Sequence, residues 1–291
     1  MTHTLLLDTS SLAYRAFYAL PTSIKAPTGQ PVNAVRGVLD MHARLVTDRR
    51  PDEVVHVFDA DWRPADRVEA YAGYKDERPD EPEELSPQFD LLRHLLVALG
   101  MPSVEAPRWE ADDAIGCLVA AAAAGDRVDI VTGDRDLLQL VRDPAADTAA
   151  VRMLYTLKGV SKLAIFDEAA VVEAYGVGPA QYVDFAILRG DPSDGLPGVK
   201  GVGDKTAADL IRRYGILDAL LADAASQTPR LAQNLHAARD YIAAMRQVVP
   251  VRTDVELSWS RPAGADGTAA DLAAEWGLEG SVTRLQEAMD A

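Results

Sequence analysis

The sequence predicts an α/β protein: a twisted, mostly parallel sheet with helices on both faces, followed by a helical region. Two observations carry this reading. Short apolar runs at 5–7, 54–58 and 128–132 are flanked by turn residues and end on or just before an acid. Runs of that length read as buried strands, and strands buried on both faces belong to parallel sheets covered by helices. Segments of helical spacing lie between these runs, and the alternation is the signature of a wound α/β sheet.

The elements follow in order. Residues 4–8 read as the first strand, and a helix containing 35–45 follows the loop around Pro27 and Pro31. Residues 54–59 form the second strand. The stretch 61–87 is rich in charge and proline and has no strand pattern and only a weak helix pattern. Loops this long in a compact domain are usually functional or disordered. Residues 88–99 form an amphipathic helix that stops at Gly100, and 111–124 form another that stops at Gly125. Residues 128–132 are the third clear strand, and 137–141 begin a helix. After about Phe166 only helical spacing remains, over 168–175, 180–188, 205–214 and 231–245. A last apolar strand is expected over 251–257, then a loop over 262–267 and one closing helix. The chain thus divides into an α/β region, 1–167, and a helical region, 168–291, with a soft boundary near 160–170.

Composition narrows the class. The chain has 291 residues, 48% hydrophobic and 25% charged, as expected of a soluble globular protein. The most apolar stretch, 114–124, is too short to cross a bilayer. Thr2-His3-Thr4 lacks the basic flank of a signal peptide. Cys117 is the only cysteine, so no disulfide forms within the chain and a reducing cytoplasm is expected. Within an apolar helix its thiol is expected to pack rather than react. The net charge of -16 argues against a general nucleic-acid binder, so local gathering of cations becomes the question. Lys75, Lys158, Lys162, Lys200 and Lys205 all lie near the motifs below, and only Lys25 stands apart.

The acids form the main motif. Asp8, Asp59 and Asp134 each follow a strand, and the carboxyl edge of a parallel sheet is where ligands bind. Glu110, Asp112 and Asp113 open a helix; Asp136 follows Asp134; Asp191 and Asp194 sit in Gly190-Asp191-Pro192-Ser193-Asp194. Taken singly, each group reads as caps or turn formers. Together they read as a cage for a hard cation, magnesium or manganese, because crowded carboxylates repel each other and take up protons unless a cation neutralises them. His3, His42, His56, His94 and His236 show no metal spacing, and His56 reads as a packed strand residue. No serine–histidine pair or cysteine nucleophile competes for the site.

Two further motifs bear positive charge. Gly198-Val199-Lys200-Gly201-Val202-Gly203-Asp204-Lys205-Thr206-Ala207 is a glycine-rich turn opening a helix. Freed backbone amides at a helix start bind phosphate oxygens, and Lys200 and Lys205 add point charge; the spacing is not that of a P-loop. A hairpin that merely packs is the alternative. The second, Tyr71-Ala72-Gly73-Tyr74-Lys75-Asp76-Glu77-Arg78, interleaves aromatics with cations, which suits single-stranded nucleic acid. Its alternative is a solvated charged loop.

In order and together these motifs resemble the bacterial 5′ nuclease family, the flap endonucleases related to the N-terminal domain of DNA polymerase I. The resemblance runs from Leu5-Leu6-Leu7-Asp8 through Tyr14-Arg15-Ala16-Phe17, Phe58-Asp59-Ala60, Gly73-Tyr74-Lys75, Glu110-Ala111-Asp112-Asp113, Thr132-Gly133-Asp134-Arg135-Asp136-Leu137 and Gly190-Asp191-Pro192-Ser193-Asp194 to the 198–207 hairpin, and the tail 272–289 is similar to the family's closing helix. It implies a PIN-like core, a helical arch at about 70–100, and a helix–hairpin–helix DNA clamp at 185–220. It implies that Asp8, Asp59, Glu110 and Asp112 hold one metal, that Asp134 bridges toward a second, and that Asp136, Asp191, Asp113 and Asp194 surround it. It places Lys75 and Arg78 at the scissile phosphate, Arg15, Arg67 and Tyr74 on the DNA strand, and Lys200, Gly201, Gly203, Lys205 and Thr206 on the duplex, where relatives often bind potassium. The implied activity is metal-dependent 5′–3′ exonuclease and flap-endonuclease cleavage of DNA by a monomer, at flaps, nicks, branched junctions or RNA–DNA primer ends. A catalytically silent branched-DNA binder and a PIN-type ribonuclease are the other readings. Two departures stand out: Gly195 where the family often has asparagine, and an acidic arch carrying Asp76, Glu77, Asp80, Glu81, Glu83 and Glu84. With no polymerase region following, the chain resembles a free-standing nuclease.

Overall fold

The computed structural model describes residues 1–157, 159–265 and 267–291. Lys158, and Asp266 of the 262–267 loop, lie outside them. Strands β1 (His3–Asp8), β2 (Glu53–Phe58), β3 (Ser103–Glu105), β4 (Arg127–Thr132), β5 (Ala150–Thr156), β6 (Leu163–Phe166) and β7 (Ser258–Ser260) form one sheet in the order β6-β5-β4-β1-β2-β3-β7. β1 pairs in parallel with β2 and β4, and β3 and β5 continue the parallel pairing on either side. Only the edge strands β6 and β7 run antiparallel. The chain builds outward from β1 to one side, then crosses and builds to the other. The strand order therefore reverses at β1, and the carboxyl ends at such a reversal form the ligand crevice of an open parallel sheet. Asp8, Asp59 and Asp134 all lie at that edge.

The helices are α1 (Thr9–Ala19), α2 (Asn33–Arg49), α3 (Ala65–Ala70), α4 (Ser86–Ala98), α5 (Ala111–Ala121), α6 (Glu168–Tyr175), α7 (Tyr182–Arg189), α8 (Asp204–Tyr214), α9 (Leu217–Ala222), α10 (Pro229–Ala237), α11 (Arg239–Val248), α12 (Ala269–Trp276) and α13 (Glu279–Asp290). Side chains alternate across a strand. Leu5 and Leu7 accordingly belong to the core on the side of α1, α2, α4, α12 and α13, while Leu6 belongs to the core that continues through α5 to α7, α8 and α11. The sheet is covered on both faces, as expected.

Several expectations are corrected. Residues 251–257 form no strand, because their backbone is used elsewhere: Val251 N donates to Gln139 Oε1 (2.9 Å), Arg252 N donates to Asp113 Oδ1 (2.9 Å), and Val255 O accepts from Cys117 Sγ (3.5 Å). The helix expected over 231–245 is two, α10 and α11, broken at Ala238, and the closing helix is also two, broken at Gly277 with φ 66°. The helix begun at 137 is a single 3-10 turn, Asp136–Leu140. The tail leaves the helical half: β7 pairs with β3, and α12 and α13 pack on α4 and α2. Residues 71–85, ahead of α4, are turns rather than an arch helix, and α4 itself is built into the core through Leu91, Leu92 and Leu95. Among the described residues no helix is long and apolar enough to cross a membrane.

Candidate active site

Hydroxyl and amide groups just beyond the strands hold the acids. Asp8 caps α1, accepting from Ser11 N at Oδ1 (3.1 Å), while Thr132 Oγ1 donates to its Oδ2 (2.6 Å). Asp59 Oδ1 accepts from Ala111 N (2.7 Å), and Asp59 N donates to Ser10 Oγ (2.9 Å). Asp134 N donates to Thr132 Oγ1 (2.9 Å), and Asp134 Oδ1 accepts from Asp136 N (2.9 Å). Ser10, Ser11 and Thr132 were not singled out from the sequence. Their signal was present, since a hydroxyl residue beside a strand-ending acid is cap and turn chemistry.

Asp8, Asp59, Glu110, Asp112 and Asp134 line one cleft of about 710 Å³, with Arg15, Lys75 and Arg78 also on its walls. Behind it, a cavity of about 10 Å³ brings Asp136 and Asp194 to the same Asp112 and Asp134. Burial, then Asp59, pushes the Asp8 carboxyl up to about 7. Burial and the neighbouring Asp134 push Asp112 and Asp136 well above the usual carboxylate range. Burial also raises Asp59 and Asp194. Such a set cannot ionise fully without a compensating cation, and its all-oxygen donors suit a hard divalent ion. Among the described residues no three of these groups converge as a finished coordination sphere; as they stand, Asp8 faces Thr132 and Glu110 faces cations. The donor chemistry fits a divalent metal.

Glu110 is the exception in charge. Burial raises its carboxyl, but Lys75 and Arg67 outweigh burial and hold it below the usual range. Lys75, buried, is ion-paired to it, and Tyr74 Oη donates to its Oε2 (2.7 Å). Lys75 has φ 54°, a left-handed conformation uncommon in a non-glycine residue and frequent at functional sites.

Four residues expected at the metal or on DNA are placed otherwise. Arg67 is 4% exposed; it pairs with Glu110, donates to both Asp113 oxygens (2.8 and 2.9 Å) and to Val248 O (3.0 Å), and so faces the interior rather than a strand. Asp113 is 0% exposed and turned to Arg67 and Arg252 N, away from the cleft. Tyr74 is buried on Glu110 and offers no face to a base. Asp191 lines neither cavity; its carboxylate accepts from Ser193 N (2.9 Å) and faces Arg189 and Arg135. Arg15 does line the cleft, packed so closely over Gly133 that a Cβ there would meet Nη2 at 2.5 Å.

The 190–198 turn docks on the arch base. Lys75 N donates to Asp194 O (2.9 Å), and Arg78 pairs with the Asp194 carboxylate. Gly195 has φ 72°, and a Cβ on it would meet Gly73 O at 2.2 Å. Its departure from asparagine therefore accompanies an unusually close approach of two backbones. Beyond it, Lys200, Gly201, Gly203, Lys205 and Thr206 are all exposed on the turn between α7 and α8 and at the start of α8.

Family comparison agrees with this architecture. Residues 3–176 match the model of the 5′–3′ exonuclease N-terminal resolvase-like domain, and 177–265 match the 5′–3′ exonuclease C-terminal SAM fold. The chain belongs to the 5′–3′ exonuclease family. A 5′–3′ exonuclease of Streptomyces coelicolor is 48% identical over 99% of this chain and 100% of its own. DNA polymerase I of Mycobacterium bovis is 43% identical over 87% of this chain but only 28% of its own length. The bacteriophage T5 flap endonuclease, solved with DNA and metal ions, superposes with a TM-score of 0.67 over 99% of this chain and 100% of that one, at 18% identity; that likeness shows the shared fold. In this 5′–3′ exonuclease the acid-lined cleft lies at the carboxyl edge of the resolvase-like sheet, with the exposed glycine turn in the matched C-terminal part.

Proposed function

We propose that this chain is a structure-selective 5′ nuclease, hydrolysing DNA phosphodiester bonds at 5′ ends and flaps near single-strand/double-strand junctions. The observation that carries it is the single cleft that brings Asp8, Asp59, Glu110, Asp112 and Asp134 together with three cations. Asp8, Asp59, Glu110 and Asp112 would hold one magnesium or manganese ion and Asp134 would reach a second, with Asp136 and Asp194 behind. Bound there, the ions would lower the pKa of the attacking water and stabilise charge on the phosphoryl oxygens. Arg15 and Arg78 bind and orient the phosphate from the cleft wall, and Lys75 stabilises its developing charge. The exposed Lys200–Thr206 turn would hold the duplex backbone, which positions DNA without reading bases, and we place a potassium ion at the same turn. Nicks, branched junctions and RNA–DNA primer ends are further substrates of this geometry. We assign a monomer working in the cytoplasm, in keeping with the single buried thiol of Cys117.

One observation favours a silent branched-DNA binder instead: Glu110 is occupied by Lys75 and Arg67. A 5′-flap oligonucleotide incubated with magnesium, manganese or chelator separates the two. The expected result is metal-dependent cleavage near the junction, reduced about a hundredfold or more in Asp134→Asn. Tight binding with no cleavage in either metal would establish the silent reading.

A further inference from the structure

Among the large apolar side chains exposed in the described residues, two are aromatic, Tyr18 at 70% and Trp62 at 37%, and both line the cleft that holds Asp8, Asp59 and Asp134. Single exposed apolar residues are ordinary. Two exposed aromatics on the wall of one acidic cleft need a reason.

Each ring is presented by a fixed frame. Tyr18 lies one turn after Tyr14 and Arg15 on α1, so all three share the face turned to the cleft. Its ring rests edge-on against buried Phe17, with centroids 5.3 Å apart at 84°. Trp62 sits in the loop after β2, where the backbone is pinned on both sides: Asp61 N donates to Trp109 O (3.1 Å), Arg63 N to Asp61 Oδ1 (2.9 Å), and Arg63 Nε to Tyr74 O (2.7 Å). The Trp62 indole itself has no hydrogen-bond, ring or cation partner among the described residues.

We propose that Trp62 and Tyr18 form a stacking platform for the unpaired bases that flank the scissile phosphate. The inference rests on the 5′ nuclease reading and adds what the site recognises: the faces of single-stranded bases. Every base has a π face, so stacking is sequence-tolerant, and grooves for single strands combine such faces with cations that follow the backbone. Arg15, Lys75 and Arg78 supply those cations in the same cleft. The aromatics at 71 and 74 do not serve, because Tyr74 is buried on Glu110 and Tyr71 packs against Tyr241 at 6.0 Å. The structure thus moves the stacking role from the arch motif to the loop after β2 and the face of α1. The acidity of the arch matters less to grip when the bases, not only the phosphates, are held.

The test compares two 5′-flap substrates, one intact and one with abasic residues in place of the two flap nucleotides next to the junction. Wild-type protein is expected to cleave the abasic flap with kcat/KM about tenfold lower, in line with the strength of base–aromatic stacking. Trp62→Ala/Tyr18→Ala is expected to be slow on the intact flap already and to lose little more when the bases are removed. Trp62→Phe is expected to keep the penalty for base removal. A merely structural role would leave that penalty intact in the double variant. Equal cleavage of both flaps by wild type, or an undiminished penalty in the double variant, overturns the platform and leaves the nuclease reading standing. Failure of wild type to cleave either flap in magnesium or manganese overturns the nuclease reading and the platform with it. The first comparison uses wild-type protein alone, so a misfolded variant cannot rescue the idea.

Discussion

At the scale of the residue, Asp8 ties stability to the site. Its carboxyl titrates near 7 in the fold, raised by burial and Asp59 from an ordinary 3.8. Between those values the folded state binds more protons than the unfolded chain, so folding loses stability as pH rises from about 4 to about 7. Buried His42, lowered to about 4 by burial, pulls the opposite way: the unfolded chain binds its proton first, and stability falls as pH drops. A comparison of wild type with Asp8→Asn cancels the histidine. In chelator at pH 8 the variant is expected to melt about 5 °C or more above wild type, with the gap closing toward pH 4. Saturating manganese at pH 8 should reverse the order. Equal melting at pH 8 in chelator would mean that the Asp8 charge carries no cost in the fold. The acids themselves were readable, because strand-ending carboxylates have a sequence signature. The surroundings of Arg67, Tyr74 and Asp113 are not legible in the sequence, because nothing local tells whether a residue near the site faces solvent or a buried counter-ion. Asp113 at the third helical position has the spacing of a capping box with Glu110, and the structure forms that box.

At the scale of the element, the 190–198 turn and the arch base act as one part. Gly195→Ala puts a methyl where Gly73 O stands at 2.2 Å and asks alanine to hold φ 72°. Such strain costs roughly 1–3 kcal/mol, and relief requires the turn to lift from Lys75 N and to carry Asp194 with it. The expected outcome is a lower melting temperature together with cleavage reduced more than the unfolded fraction explains, measured well below the melt. A variant that melts early but cleaves normally when folded would uncouple the turn from the site. Long elements were legible here: the three central strands and α2, α4, α5 and α8 have the right period and stop signals. Beyond β5 (Ala150–Thr156), whose strand pattern the sequence reading passes over, the elements not foreseen are short or depend on partners. β3 and β7 have three residues each, too few to show a period, and 251–257 look like a strand until their donors are claimed by Gln139 and Asp113. Helix α1 is not evident from the sequence because its cap, Asp8, also has the signature of a strand-ending site acid.

At the scale of the whole molecule, a chain of net charge -16 must hold a polyanion. The resolution lies in the distribution of charge. The acids in the cleft are buried or half-buried, while Lys200 and Lys205 are exposed on the turn before and at the start of α8, in the part matched to the SAM fold. Binding of duplex DNA should therefore depend on a few local phosphate contacts, each of which releases counterions, so that affinity falls with salt at a slope set by their number. In an Asp134→Asn background, which keeps the DNA uncut, Lys200→Ala/Lys205→Ala is expected to weaken binding of a labelled flap duplex and to flatten the plot of log affinity against log salt by about 2. Its melting temperature should not change, since both side chains are exposed. Anisotropy titrations at several salt concentrations would measure this. A weakened affinity with an unchanged slope would place the phosphate contacts elsewhere, leaving Arg15 and Arg78 in the cleft as the cations that decide whether DNA binds.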